Sequence, residues 1–308
     1  MRKCNNDISL PDIKGEKEKR VNNVVKEKKA NKINWKIGNK SMIWNKGNSS
    51  FMAKKDSIEI LISNHKPLTL GILEANVEPD SHPPSLVIDG YILELDNLHE
   101  KGLKARSVIY IKKEANYKRR KDLEPPLSPT IWLEFNSGTK GAWLLFLGYR
   151  EWRTLHCKDK QKSQSTKEQL VRLTGWEESW IKANEEEKPI VIMGDLNVDA
   201  ETWMNPKLKK NANNQSVLNQ MMSMSSLIDA KLLKSEPTRY QGKAKPSTLD
   251  LVLTTKVELL SNLTLHNSES DHKVISVIYS SKPIKSKPQI VSARSYKRKC
   301  SQHWIYQV

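Results

Sequence analysis

Three short segments set acidic, amide and imidazole side chains beside apolar runs. In the first, the apolar run Ile190–Met193 ends at Gly194, Asp195, Leu196 and Asn197. Glycine permits a sharp exit from a strand, and side chains two apart emerge on the same side. A carboxylate and a carboxamide so placed can hold a water and a phosphate oxygen together. The plain structural alternative is an Asx turn closing the strand, and taken alone the segment favours that alternative. In the second, Asp250 sits in the apolar run Leu249–Leu253. A buried carboxylate is costly unless paired, and an imidazole N–H would relieve the cost; backbone N–H groups would do so equally. In the third, Asp271-His272 stands just before Val274–Tyr279, which places an acid and an imidazole near one sheet edge. A lone histidine is more often structural. The other six, His65, His82, His99, His156, His266 and His303, lack such a setting.

Weaker candidates lie upstream. Glu74 follows the TLGIL run, where a carboxylate at a strand end can bind a hard cation. Asn45, in MIWNKG, is also at an expected strand end, and Tyr149-Arg150 follows WLLFL. Each alone defaults to a surface or turn role. Together with Asp195, Asn197, Asp250, Asp271 and His272 they form a set at strand ends, and a sheet can gather such side chains into one crevice. The set would supply oxygen ligands for Mg²⁺, a base for water and donors for phosphate oxygens, which are the parts an in-line phosphodiester hydrolysis needs.

The elements that must position these residues are legible as short apolar runs between turns. Thr69–Leu73, Val108–Ile111, Ile131–Phe135, Trp143–Leu147, Ile190–Met193, Leu249–Leu253 and Val274–Tyr279 read as strands, several without alternation, as suits strands covered on both faces. Ser165 followed by Glu168 predicts a capping box, and Leu170, Leu173, Trp176, Trp180 and Ile181 follow at helical spacing. Ser57–Ser63 and Gln215–Leu227 are weaker helical patterns. Strands and helices so mixed predict one layered α/β domain over residues 37–280.

The ends differ from this middle. Residues 1–36 carry a net +6 and residues 281–308 a net +7, so only +4 of the chain's +17 belongs to the domain. Basic arms of this kind raise salt-dependent affinity for nucleic acid; equally, they can be disordered tails that only solubilise. Cys4, Cys157 and Cys300 give no disulfide framework and no paired metal motif, which fits a reducing compartment. The N-terminus has no apolar stretch of signal-peptide length, and no run approaches the ~18 apolar residues of a membrane span. The expectation is a soluble intracellular protein with no membrane partner.

The blocks IWNKG, LGILEAN, GYREW, IMGDLN, STLDLVL and SDHKVI resemble, in this order, the endonuclease/exonuclease/phosphatase superfamily over roughly residues 40–280. Phrases such as KPLTLGILEAN and ARSVIYIKKE are similar to the apurinic-type endonuclease domain of non-LTR (LINE-like) retrotransposons. The resemblance implies a four-layer α/β/β/α sandwich with two packed mixed sheets. It implies a Mg²⁺-dependent DNA endonuclease, with Mn²⁺ as a substitute, that leaves a 3′-hydroxyl and a 5′-phosphate. Glu74 would then be the main metal carboxylate and Asp271 its support. Asp195 would activate water, Asn197 and Asn45 would orient it and the phosphate, and Tyr149 would touch the phosphate. Asp250 would orient His272, which would stabilise charge on the scissile phosphate. Many relatives carry a metal-supporting Asp two residues after the first Asn; here that position is Gly47.

The basic, turn-rich stretch 237–246 is a candidate DNA-contacting loop, with Arg239, Lys243 and Lys245 meeting phosphates and Tyr240 stacking on a base; a merely solvated loop is the alternative. Double-stranded DNA is the expected partner, a monomer the expected state and the nucleus the expected place. No reverse transcriptase accompanies the segment, which suggests a fragment or a degenerate copy. A phosphatase or lipid phosphodiesterase of the same fold, and a non-catalytic nucleic-acid binder, are the competing readings.

Overall fold

Runs such as Ala142–Tyr149 are buried almost throughout, because both faces of the strand are covered. The computed structural model describes residues 40–80, 83–136, 141–151, 165–205 and 212–280; the expected basic tails and all three cysteines lie outside them. In chain order the strands are β1 (Lys40–Asn45), β2 (Thr69–Val77), β3 (Tyr91–Leu95), β4 (Ala105–Lys112), β5 (Tyr117–Arg119) and β6 (Thr130–Asn136). They continue with β7 (Ala142–Tyr149), β8 (Ile190–Asp195), β9 (Lys231–Leu232), β10 (Asp250–Thr254), β11 (Leu260–His266) and β12 (Val274–Tyr279). The helices are α1 (Lys55–His65), α2 (Pro83–Leu86), α3 (Asn97–Glu100), α4 (Thr166–Asn184), α5 (Ala200–Met204) and α6 (Ala212–Leu227).

The strands form two six-stranded mixed sheets, ordered β11-β12-β1-β2-β4-β3 and β5-β6-β7-β8-β10-β9. Each has one parallel pair at its centre, β1 with β2 and β7 with β8, flanked by antiparallel neighbours. Alternation along the central strands sends one set of side chains between the sheets and the other outward. Ile43, Leu73, Leu145, Leu147, Val191, Met193, Val252 and Ile275 belong to the core between the sheets. Met42, Trp44, Leu70 and Ile72 pack outward on Ile58 and Ile62 of α1. Leu144, Phe146, Ile190 and Ile192 pack on Leu173, Trp176 and Trp180 of α4 and on Val217, Leu218 and Met221 of α6. The four-layer α/β/β/α sandwich is therefore the observed architecture.

The capping box at α4 forms as expected: the Glu168 amide donates to the Ser165 hydroxyl, and the Ser165 amide donates to the Glu168 carboxylate. Two expectations about strand boundaries need correction. Asp250 opens β10 rather than lying inside it: the regular pairing with β8 begins at Asp250 opposite Asp195, and the Leu249 and Asp250 amides both turn to the Thr238 hydroxyl. Glu74 is not beyond the end of a strand. It lies within β2, where the pairing with β4 shifts register between Leu73 and Val77, and Glu74 and Asn76 take left-handed φ angles of 51° and 54°. This bulge re-aims the Glu74 side chain.

Candidate active site

The strand directions explain why residues far apart in sequence meet. Both parallel pairs end on the same rim: β1 ends at Asn45, β7 at Tyr149 and β8 at Asp195. β10 runs antiparallel to β8, so its first residue arrives there too, and Tyr149, Asp195 and Asp250 lie side by side across three strands. β12 runs antiparallel to β1, which brings the preceding His272 to the same rim.

A close backbone approach makes this possible. A Cβ on Gly194 would lie 2.0 Å from the carbonyl oxygen of Gly148, its partner on β7. Only glycine fits immediately before Asp195.

The side chains form two linked groups. Asn45 Nδ2 donates to Asp195 Oδ2 at 2.7 Å and to Glu74 Oε1 at 3.2 Å, and the Tyr149 hydroxyl donates to the same Glu74 oxygen at 2.9 Å. The amide of Asn197 donates to Asp195 Oδ1 at 2.9 Å. The second group is a dyad: His272 Nδ1 lies 2.7 Å from Asp250 Oδ2, which also accepts from the Thr238 hydroxyl at 2.7 Å. Ligand-capable atoms of Asp195, Asp250 and His272 all lie within 4.8 Å of one another.

Burial sets the electrostatics. Desolvation, then the charge of Asp250, raises the Asp195 carboxyl well above the usual range. Burial alone would lower His272, but the Asp250 charge and hydrogen bond outweigh it and carry the imidazole up to about 9. Burial and the Glu74 charge hold the Tyr149 phenol in its neutral form. Lys46, buried beside Asn45 with its ammonium on the Gly47 and Ser49 carbonyls, is drawn down to about 8, chiefly by desolvation.

The donor set fits a hard divalent cation. It is rich in carboxylate oxygens, one of which, Asp250 Oδ1, is buried with no hydrogen-bond partner among the described residues. Because Nδ1 of His272 is spent on Asp250, these two residues read as a proton-holding dyad more than as a metal cage.

Comparisons with known proteins follow the geometry. A family model described as endonuclease-reverse transcriptase matches residues 161–276. Among solved structures, the endonuclease domain of TRAS1, a telomere-specific non-LTR retrotransposon, is 14% identical with a TM-score of 0.54, covering 78% of this chain and 98% of its own. An AP endonuclease from Leishmania major is 12% identical with a TM-score of 0.59 over 79% of this chain and 87% of its own. An AP endonuclease from Archaeoglobus fulgidus is 16% identical with a TM-score of 0.56 over 78% and 98%. The chain shares the fold of these nucleases, and its residues 161–276 match the endonuclease-reverse transcriptase family model. No curated protein matches it.

Of the residues singled out in the sequence, the fold brings together Asn45, Glu74, Tyr149, Asp195, Asn197, Asp250 and His272. Asp271 is adjacent but engaged, with Arg239 Nε 3.0 Å from its Oδ2. Gly47 takes a φ of 72°, and a Cβ there would stand 3.8 Å from Asp271 Oδ1. In the 237–246 loop, the exposed Tyr240 ring lies 4.7 Å below the Lys273 ammonium, Lys243 is exposed, and Lys245 pairs with Glu201.

Sequence reasoning missed two supports, Thr238 on the dyad and Ser270, and named Arg150 beside Tyr149 without giving it a role. The Ser270 hydroxyl donates to the Asn45 carbonyl and accepts from Trp44 Nε1, joining two site segments. Only the Ser-Asp-His adjacency hinted at Ser270, and nothing local marked Thr238.

Proposed function

We propose that this chain is a metal-dependent DNA endonuclease that hydrolyses one phosphodiester bond and leaves a 3′-hydroxyl, as the nicking domain of a non-LTR retrotransposon would. The carrying observation is that an acid–imidazole dyad, Asp250–His272, and a hydrogen-bonded acid group, Asn45–Glu74–Tyr149–Asp195, share one rim of the sandwich. The TRAS1 domain and the AP endonucleases of matching fold support the choice of DNA as substrate.

Glu74, with Asp271 in support, would hold Mg²⁺ (or Mn²⁺), which when bound supplies charge neutralisation at the phosphate oxygens. Asp195, held by Asn45 and by the Asn197 amide, takes the proton of the attacking water. The Asn197 and Asn45 carboxamides orient that water and the phosphate. The neutral Tyr149 hydroxyl donates to a phosphate oxygen. Protonated His272, fixed by Asp250, stabilises charge growing on the scissile phosphate. Arg239, Tyr240, Lys243 and Lys245 form the DNA-facing loop, where cations meet phosphates and the tyrosine ring meets a base.

Nicking of supercoiled plasmid with Mg²⁺ tests this reading. Wild type converts plasmid to an open circle whose new end a DNA polymerase extends, and Asp195→Ala and His272→Ala do not. Equal nicking by all three refutes the assignment. Salt-sensitive DNA binding with no cleavage in Mg²⁺ or Mn²⁺ would instead mark a non-catalytic binder, and turnover of a phosphoinositide without DNA cleavage a lipid phosphodiesterase.

A further inference from the structure

Arg150 is a buried cation whose guanidinium hydrogen-bonds to no carboxylate among the described residues. Its residue is 8% exposed, yet the guanidinium donates to main-chain carbonyls and one carboxamide: Nε to Leu196 O, Nη2 to Asn197 O at 2.6 Å, and Nη1 to Gln169 Oε1 on the first turn of α4. Its own main chain completes the grip. The Arg150 amide donates to Asp195 O at 2.9 Å, carrying the β7–β8 ladder one residue past its end, and its carbonyl accepts from Asn197 Nδ2 at 2.8 Å. One residue thus touches Asp195, Leu196 and Asn197 in succession.

The turn it grips is also held by the Asn197 amide on Asp195 Oδ1 and the Leu196 amide on the Leu249 carbonyl. Asn197 takes a φ of 50°, in the left-handed region, directly after a strand end. Burying a guanidinium without a carboxylate to pair with it is expensive, and simple packing would be served better by an apolar side chain. The fork geometry, with two donors on adjacent carbonyls, suits arginine and not lysine.

We propose that Arg150 is a positioning residue: its guanidinium locks the 195–197 turn so that the Asn197 carboxamide keeps the orientation that turnover requires. Resting on the endonuclease reading, this deepens it by adding a residue that never meets the substrate. Misplacement of a reacting group by about 1 Å can cost about 100-fold in rate.

The test uses Arg150→Met and Arg150→Lys in the full chain, alone and combined with Asn197→Ala. Nicking turnover is expected to fall about 100-fold in both single variants, with the KM for plasmid changed less than about threefold. In the Asn197→Ala background, either change adds less than about threefold, since the group it positions is gone. A separate readout needs no activity: the Asn197 side-chain amide protons, protected from solvent exchange in wild type, exchange freely in Arg150→Lys, while the His272 imidazole signals stay in place. If Arg150→Met does not fold, Arg150→Lys carries both measurements. Full turnover in Arg150→Lys, a full additional loss in the Asn197→Ala background, or unchanged amide exchange overturns the proposal. A wild type that nicks no DNA refutes the endonuclease reading, and the amide exchange then still decides whether Arg150 holds the turn.

Discussion

Replacing Asp250 with asparagine keeps the shape of the side chain and deletes its charge. The consequence for His272 can be worked from the structure. The two side chains are 5% and 1% exposed and lie 2.7 Å apart, so water screens little of their attraction. That attraction moves the imidazole from its ordinary 6.5 to about 9. At about 1.4 kcal/mol per pKa unit, the protonated dyad contributes about 3 kcal/mol to folding stability.

The sign follows from the raised value. The contribution is whole below pH 6.5, where even the unfolded chain carries the proton, and it is lost as pH rises through 9. Nitrogen-detected NMR of the imidazole should show wild-type His272 protonated until about pH 9. In Asp250→Asn it should titrate at least two pH units lower, since desolvation persists while the largest opposing influence is gone. Urea unfolding at pH 6 and pH 9.5 should differ by about 3 kcal/mol in wild type from this residue, and hardly at all in the variant. A variant imidazole that still titrates within half a unit of wild type would refute the assignment of the shift to Asp250.

Three other outcomes are expected. Gly194→Ala should destabilise the fold by about 3 kcal/mol or more, because its methyl would meet the Gly148 carbonyl and neither backbone can yield; an unchanged urea midpoint would contradict this. Gly47→Asp should tighten Mn²⁺ binding in calorimetry by adding a carboxylate beside Asp271, at a stability cost of about 1 kcal/mol for the left-handed φ of 72°. Tyr149→Phe removes one hydrogen bond to Glu74 and should leave stability within about 1 kcal/mol of wild type while nicking falls at least tenfold; equal nicking would exclude the phenol from the reaction.

The residues at the rim were readable because a strand announces its own end. IVIMGD and WLLFLGY are apolar until the polar residue that reaches the rim, so Asp195 and Tyr149 could be placed without coordinates. Glu74 was harder. A left-handed residue inside a strand usually declares itself with glycine or asparagine, and here a glutamate takes that conformation, so β2 read as ending four residues early. Thr238, and the role of Arg150, were invisible for a different reason. Thr238 reaches Asp250 across 12 residues of loop, and the guanidinium of Arg150 answers main-chain carbonyls that every residue possesses. The short strands β3, β5 and β9 lie at sheet edges, where fewer buried neighbours impose an apolar pattern.

The pairing of β1 with β12 has one more implication. Lys40, the first described residue, is the register partner of Ile278, two residues before the last. Both stand at the far end of β1 from Asn45, roughly 17 Å behind the rim of the candidate site at about 3.3 Å per residue. The domain therefore has a single doorway through which the chain enters and leaves. A short bridge between residues 40 and 280 would close the backbone into a ring, and new ends could be opened in a surface turn without disturbing the rim. For the same reason, a fusion partner on either end hangs from one place, behind the site and clear of whatever docks on it.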